Sequence, residues 1–384
     1  MDLSLSEEQQ QLKDSLGRYL DKTYTFELRR QQLKSGTSVR DKHWQTFAEF
    51  GLLGIGMPEQ FGGLGSGSNA AEETMVVMEC FGRALVREPY LSTVVLCGSL
   101  LRDYGTPEQC ERLLPDMVAG GKFMALAVHE RAGRYQFSHV ATTALREGDA
   151  YTLNGGKSVT LHGDSADTLI VSARTAGKAG DESGISLFIV DKNTAGLTVR
   201  NYPTFDGHAA AEIGLKNVRV PVSALVGVEN AGFEAVERVI GYGIAAMCAE
   251  AVGAMDALIE QTLEYLKTRK QFGVAIGTFQ ALQHRMVDMF IAAEQARSIT
   301  LLATLKVNSA DVNERRRAVA AAKSLVGQSA RLVGQQAVQL HGGMGVTDEL
   351  PISHYFKRLT AIDLAFGDAH YHRGRLGELL AAAG

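Results

Sequence analysis

No proline interrupts the chain between Pro221 and Pro351. Proline costs about 3 kcal/mol inside a helix, so this gap, rich in Ala, Leu, Glu and Lys, suits long helices. Cysteine is scarce: Cys80, Cys97, Cys110 and Cys248 form no CxxC pair. They read as buried free thiols in a reducing compartment rather than as disulfides. No apolar run reaches the ~18–20 residues of a membrane span. The opening MDLSLSEEQQ is acidic and polar, unlike a signal or transit peptide, so the expectation is a soluble cytoplasmic protein. Neither charge dominates: 39 Lys and Arg stand against 43 Asp and Glu, a net charge of −4. That argues against nucleic acid or an anionic membrane as the main partner. What remains is ordinary globular composition, 45% hydrophobic and 21% charged over 384 residues. This is enough chain for two or three structural units with a substantial core.

Residues 1–120 read as an N-terminal helical domain. Ser6 and Gln9 have capping-box spacing, and Leu12, Leu16, Tyr19 and Leu20 then recur at helical spacing. The Gly-rich PEQFGGLGSGSN (58–69) lacks GxGxxG spacing and reads as a flexible connector. Residues 121–228 read as a small antiparallel β domain: AYTLNGGKSVTL, TLIVSART, ISLFIVD and LTVRNYP are short runs of Val, Ile, Thr, Leu and Phe parted by turn signals such as Asn154-Gly155-Gly156. Residues 229–384 read as a C-terminal four-helix bundle, with helices expected over 230–268, 279–307, 312–341 and 352–381. The fold class is therefore mainly α with a central β domain.

Two stretches of the bundle carry chemistry. In TRKQFGVAIGTFQALQHRMVDM (268–289) a helix is expected to end near Arg269 and another to begin near Phe279, with Gly273 and Gly277 allowing a tight excursion. An arginine at such a break can offer its planar fork to a phosphate, or it can pair with a surface carboxylate. Phe272 beside it can cover an aromatic ring. In QLHGGMG (339–345) the paired glycines can cap a helix or let a ligand approach the backbone.

In this order and spacing, the two stretches resemble the acyl-CoA dehydrogenase family. So do PEQFGGLG in the N-terminal part and YTLNGGKSVTLHGDSADTLIVSART in the β domain, and the likeness spans essentially the whole chain. The resemblance implies FAD-dependent α,β-dehydrogenation of an acyl-CoA thioester. It also implies a carboxylate that removes the α-proton, electron transfer to an electron-transfer flavoprotein, and FAD held between two subunits of a tetramer. Carried over by motif, Arg269, Gln271, Phe272, Gln280, Gln339, Gly342 and Gly343 would meet the FAD of a neighbouring subunit. No metal is implied, and the His370-x-His372 pair does not share a helix face.

The departures from the family pattern bear on catalysis. The loop that usually binds the flavin ring and phosphates is VHERAGRYQFS (128–138) here: His129 stands where a threonine is usual, and Tyr135 and Gln136 replace a Ser-Asp pair. Val159 stands for the tryptophan that often covers the flavin, and Leu161 for a threonine. The customary glutamate base aligns with Phe366 of Phe366-Gly367-Asp368, and the alternative base position aligns with Gly243; neither residue can take a proton. Asp368 lies two residues from the lost position and is a weak candidate base, or else a structural cap. Glu250 lies two helical turns from Gly243, about 10 Å along the axis, too far for direct proton transfer.

Within the family, EYLKTRKQFG, QLHGGMG and HYFKRLTAIDLAFGD are most similar to the small subunit of pimeloyl-CoA dehydrogenase and to unequal subunit pairs that oxidise steroid side-chain CoA esters. The expectation is thus a base-lacking subunit of an α2β2 heterotetramer. The alternatives are a homotetramer with an unorthodox base, and a non-catalytic homologue that binds acyl-CoA or a partner protein.

Overall fold

A computed structural model describes residues 5–35, 39, 42–65 and 70–382. Contacts group the chain into two compact units: Met1–Gly36, Ala71–Val86 and Ile244–Gly384 form one, and Thr37–Ala70 with Arg87–Gly243 the other. In chain order the N-terminal helices are α1 (Glu7–Thr23), α2 (Phe26–Ser35), α3 (Lys42–Glu49) and α4 (Ala70–Ala84), then a π-helical stretch Leu91–Gly98, α5 (Ser99–Tyr104) and α6 (Pro107–Val118). The strands are β1 (Met124–Ala127), β2 (Thr143–Glu147), β3 (Ala150–Leu161), β4 (Thr168–Arg174), β5 (Ile185–Asp191), β6 (Leu197–Pro203), β7 (Ala209–Pro221) and β8 (Leu225–Val226). After them come α7 (Gly232–Thr268), the short β9 (Lys270–Gln271) and β10 (Val274–Ala275), then α8 (Gln280–Lys306), α9 (Val312–His341), α10 (Pro351–Leu364) and α11 (Ala369–Ala381).

The capping box forms. The Gln9 amide donates to Ser6 Oγ at 3.2 Å and the Ser6 amide donates to Gln9 Oε1 at 3.0 Å, so α1 starts where the motif says. Leu16 and Leu20 then face inward. The four cysteines are free and buried. Pro58 to Gly65 is no flexible connector: the Leu64 amide donates to the Gly54 carbonyl at 3.0 Å and the Gly65 amide to the Met57 carbonyl at 2.9 Å. Gly63 lies so close to Met57 that a Cβ there would meet its carbonyl oxygen at 2.1 Å, which explains the glycine. Residues 66–69 of the same stretch lie outside the described residues.

The eight strands form one sheet in the order β6-β7-β3-β2-β4-β5-β8, with β1 added beside β4. Pairing is antiparallel except that β4 meets β1 and the start of β2 in parallel. Inward positions of β3, Tyr151 and Leu153, carry the core of this layer, and Lys157 shares their parity and their burial.

In the first unit α9 packs against α8, α10 and α11. By length and composition α7 is apolar enough to cross a membrane, but most of its apolar stretch is buried inside the protein. The bundle departs from expectation at its end. The segment expected as one helix over 352–381 is two, α10 and α11, broken by Ala365–Asp368. Phe366 and Gly367 have φ of 57° and 105°, which no α-helix accommodates, and Asp368 caps the helix that follows.

Candidate functional site

At one end of the bundle the chain leaves α7 through a hairpin. The Arg269 amide still donates to the Tyr265 carbonyl at 2.8 Å, completing the last helical turn. Lys270 then pairs with Ala275 and Gln271 with Val274, and Phe272-Gly273 forms the tip with φ of 54° and 83°. Two positive φ values suit the right-handed twist of a two-residue hairpin turn. Phenylalanine is a poor residue for that role, since a Cβ makes the left-handed region unfavourable by about 1–2 kcal/mol. The ring gains little in return: it is 91% exposed and meets Phe279 edge to face, at 6.2 Å between centroids. The Arg269 guanidinium is also exposed and has no side-chain partner among the described residues. Gln271 turns its amide to the Lys270 carbonyl at 2.8 Å, and Gln280 is the exposed first residue of α8.

The glycine segment sits at the same end. Tyr265 of α7 stacks on His341 of α9, with centroids 4.3 Å apart and planes 26° from parallel. Arg285 of α8 donates to Gln336 Oε1 of α9 at 2.8 Å. These contacts place Arg269, Gln271, Phe272 and Gln280 at the same end of the bundle as Gln339, Gly342 and Gly343, and all seven are exposed. Gly342 ends α9 with φ 59° and ψ −142°, a conformation suited to glycine. A Cβ at Gly342 or Gly343 would meet nothing within 4 Å, so the backbone is open to a ligand arriving from outside. An unpartnered guanidinium, a bare aromatic ring and an open glycine backbone fit a group that carries a pyrophosphate and flat rings, as FAD does.

The α10–α11 turn is the second element. Lys323 of α9, fully buried, donates to the Ile362 and Asp363 carbonyls at 2.7 Å each, closing the C-terminus of α10. Burial pulls its ammonium down to about 8. Asp363 accepts from the Ala369 amide at 3.0 Å and from Arg331 at 2.7 Å. His372 Nε2 lies 2.9 Å from the Phe366 carbonyl, and burial lowers its imidazole to about 4, so it is neutral at pH 7 and donates that bond. The turn is thus held from several sides, and the residue it presents at its apex is buried Phe366. Asp368, the weak candidate base, accepts from the Tyr371 amide at 2.8 Å as the N-cap of α11. His370 lies 2.8 Å from Arg373 and does not join His372. Gly243 is buried on α7. Glu250 is held bidentately by Arg358 of α10 at 2.5 and 2.7 Å, both side chains being buried.

The third element is the loop from His129 to Ser138 in the β domain. Burial lowers His129 to about 4, while a hydrogen bond to the Arg134 backbone opposes that shift, and its ring meets Phe137 at 4.8 Å. Arg134 takes φ 48° and ψ −111°, Val159 takes φ 49° and is 47% exposed, and Leu161 is half-buried. A β-branched residue at positive φ is an outlier of the kind that gathers at functional sites. One member of this region escaped the reading of motifs: the buried Lys157–Glu130 pair, with nitrogen and oxygen 2.7 Å apart. The alternation of β3 was the available signal, because it places residue 157 on the inward face.

Models of the acyl-CoA dehydrogenase N-terminal, middle and C-terminal domains match residues 6–121, 125–218 and 230–381. The chain belongs to the acyl-CoA dehydrogenase family. It is 28% identical to the acryloyl-CoA reductase (NADH) of Anaerotignum propionicum over 97% of this chain and 94% of that one. Its structure is similar to the ChsE4–ChsE5 complex of Mycobacterium tuberculosis, with a TM-score of 0.88, 26% identity and 99% of each chain covered. It is likewise similar to the FAD complex of PigA, with a TM-score of 0.91, 25% identity and 100% of each chain covered. The family is one of FAD-binding oxidoreductases that act on the CH–CH bond of acyl-CoA thioesters.

Proposed function

We propose that this chain is an acyl-CoA dehydrogenase subunit that does not supply the usual glutamate base and completes its active site with a second chain. The observation that carries this reading is the α10–α11 turn. It is pinned by Lys323, Asp363 and His372, and it presents Phe366, a side chain that cannot accept a proton. Asp368 is occupied as a helix cap and Glu250 as the partner of Arg358, so neither offers a free carboxylate nearby. Meanwhile Arg269, Phe272 and the Gly342–Gly343 backbone face outward, as expected of groups that serve a neighbour's cofactor. When bound, FAD supplies the hydride acceptor. The residues of this chain position it: Arg269 holds phosphate oxygens, Phe272 covers a ring, and the glycines let the backbone approach.

The surface of α8 supports association. Val287, Phe290, Ile291, Leu302 and Leu305 are exposed and fall on one side of the helix. We propose a second acyl-CoA dehydrogenase chain as its occupant, in an α2β2 tetramer, with an electron-transfer flavoprotein as the external redox partner and a cytoplasmic location. The test is the visible spectrum of the chain purified alone, quantified as FAD per polypeptide, followed by reconstitution with a glutamate-bearing paralogue. The reading expects little flavin alone, and full flavin with substrate-dependent bleaching on mixing. One flavin per chain and bleaching without a partner would overturn it.

A further inference from the structure

Strand β3 carries a lysine into the interior of the β domain, where its side chain is fully buried. Lys157 Nζ donates to Glu130 Oε1 at 2.7 Å and to Ser172 Oγ of β4 at 3.0 Å. Glu130 stands at the entrance of the loop, and its carboxylate also accepts from the amides at the loop's exit: Ala141 to Oε2 at 2.8 Å and Thr142 to Oε1 at 3.0 Å. One side chain thus closes both ends of the loop and ties them to two strands. Arg174 of β4 holds the exit limb as well, donating to the Ser138 carbonyl at 2.8 Å and the Val140 carbonyl at 3.2 Å. Above this neck the segment 131–137 carries the strained Arg134, and His129 and Phe137 brace it from within.

The pair is a poor device for stability alone. Removing two charges from water costs about as much as their attraction returns, and an apolar pair of similar shape often does as well or better. Burial pulls Lys157 down to about 8 despite Glu130 beside it, with Arg174 adding to the fall. For Glu130, burial alone would push the carboxyl up, but Lys157 and the Thr142 and Ala141 hydrogen bonds outweigh it and hold it low. What a buried ion pair provides is geometry: the carboxylate is fixed by three directed contacts, from Ala141, Thr142 and Lys157, and the loop ends are fixed with it.

We propose that Lys157 and Glu130 are positioning residues, a latch that sets the 131–137 loop in the one conformer able to receive FAD. The identity of the ligand rests on the family chemistry and on the function proposed above; the latch itself rests on the β domain alone. The experiment compares wild type with Lys157→Met/Glu130→Gln, which removes both charges, and with Lys157→Met, which leaves Glu130 buried without its cation. It uses the full chain, and the FAD arm uses the complex with the paralogue where the chain alone holds no flavin. Three quantities are read: the thermal midpoint, the amide hydrogen exchange of residues 131–137 together with the rate of tryptic cleavage after Arg131 and Arg134, and the FAD dissociation constant.

The expected result for the double variant is a midpoint within a few degrees of wild type, exchange and cleavage in the loop at least tenfold faster, and FAD binding at least tenfold weaker. Unchanged loop exchange would overturn the latch. A midpoint that falls in proportion to the loop's exposure would also overturn it, since the pair would then be structural. A loosened loop with unchanged FAD affinity would overturn the positioning role and leave the proposed function standing. Failure of the wild-type complex to bind FAD would refute the functional reading and, with it, the assignment of FAD to the latch. The Lys157→Met variant, the harsher of the two, must loosen the same loop at least as much, and an undisturbed loop there counts against the latch equally.

Discussion

At the residue scale, the side chains that bear on function are the ones the fold leaves unpaid or strained. Arg269 emerges from α7 with no side-chain partner among the described residues, so its guanidinium is available to a ligand. Arg269→Ala should lose about 1.5–3 kcal/mol of FAD affinity, the usual value of a charged hydrogen bond, with no change in thermal midpoint. Titration of the assembled protein with FAD checks this, and unchanged affinity would remove Arg269 from the site. Asp368 sits differently. Its carboxylate caps α11, and asparagine caps as well as aspartate does, whereas alanine costs about 1 kcal/mol. Asp368→Asn should therefore retain both stability and any substrate-dependent flavin bleaching, and Asp368→Ala should lose about 1 kcal/mol by denaturant titration. Loss of bleaching in Asp368→Asn at full flavin occupancy would restore Asp368 as the base. Sequence alone could offer cap and base as alternatives for this residue. Only the Tyr371 amide at 2.8 Å separates them.

At the element scale, local signals placed the ends of elements and missed what happens between elements. The Ser6–Gln9 box starts α1 as written, and the gap in proline corresponds to α7, α8 and α9. The break between α10 and α11 was hidden because Phe366 contributes an apolar residue to a continuous helical pattern; the turn is held by Lys323 from α9, by Asp363 just before it and by His372 just after it. The hairpin after Arg269 was legible only as an excursion, since Phe-Gly is not an ordinary turn pair. The crossing of α4 and α7 could not be read at all. There a Cβ on Gly82 would lie 1.9 Å from the Glu250 carbonyl oxygen, and one on Gly253 would lie 1.9 Å from that of Glu79. Each glycine admits the other helix's backbone. Gly82→Ala or Gly253→Ala must push the helices apart, and overpacking of this kind costs 1–3 kcal/mol or more. We expect about 3 kcal/mol from either by urea titration, and a loss below about 0.5 kcal/mol would mean that the helices are not held this closely.

At the scale of the whole molecule, buried titratable groups give stability a direction with pH. His129 and His372 are each lowered to about 4 by burial, while in the unfolded chain histidine titrates near 6.5. Between those values the unfolded state binds more protons than the folded state, so stability falls as pH drops from about 6.5 to 4. The ceiling is roughly 3 kcal/mol for each ring, from about 1.4 kcal/mol per pH unit. Lys157 and Lys323, each lowered to about 8 by burial, act on the other flank. Above pH 8 the folded state releases protons that the unfolded chain keeps to about 10.4, so their contribution rises with pH through that window. Burial raises the thiols of Cys80, Cys97, Cys110 and Cys248, so above about pH 8.5 the unfolded chain releases protons that the folded state keeps, which opposes the lysines. The curve should therefore be lopsided, with a steep loss in mild acid and a shallow dependence in mild alkali. Urea midpoints at pH 7, 5.5 and 4.5 should fall in sequence, and the change from pH 7 to pH 9 should be smaller than the change from pH 7 to pH 4.5. His372→Gln, which keeps a donor for the Phe366 carbonyl but cannot titrate, should flatten the acid limb. An acid limb of unchanged slope in that variant would mean that the ring protonates freely in the folded state, and that the turn presenting Phe366 is not held by a neutral histidine.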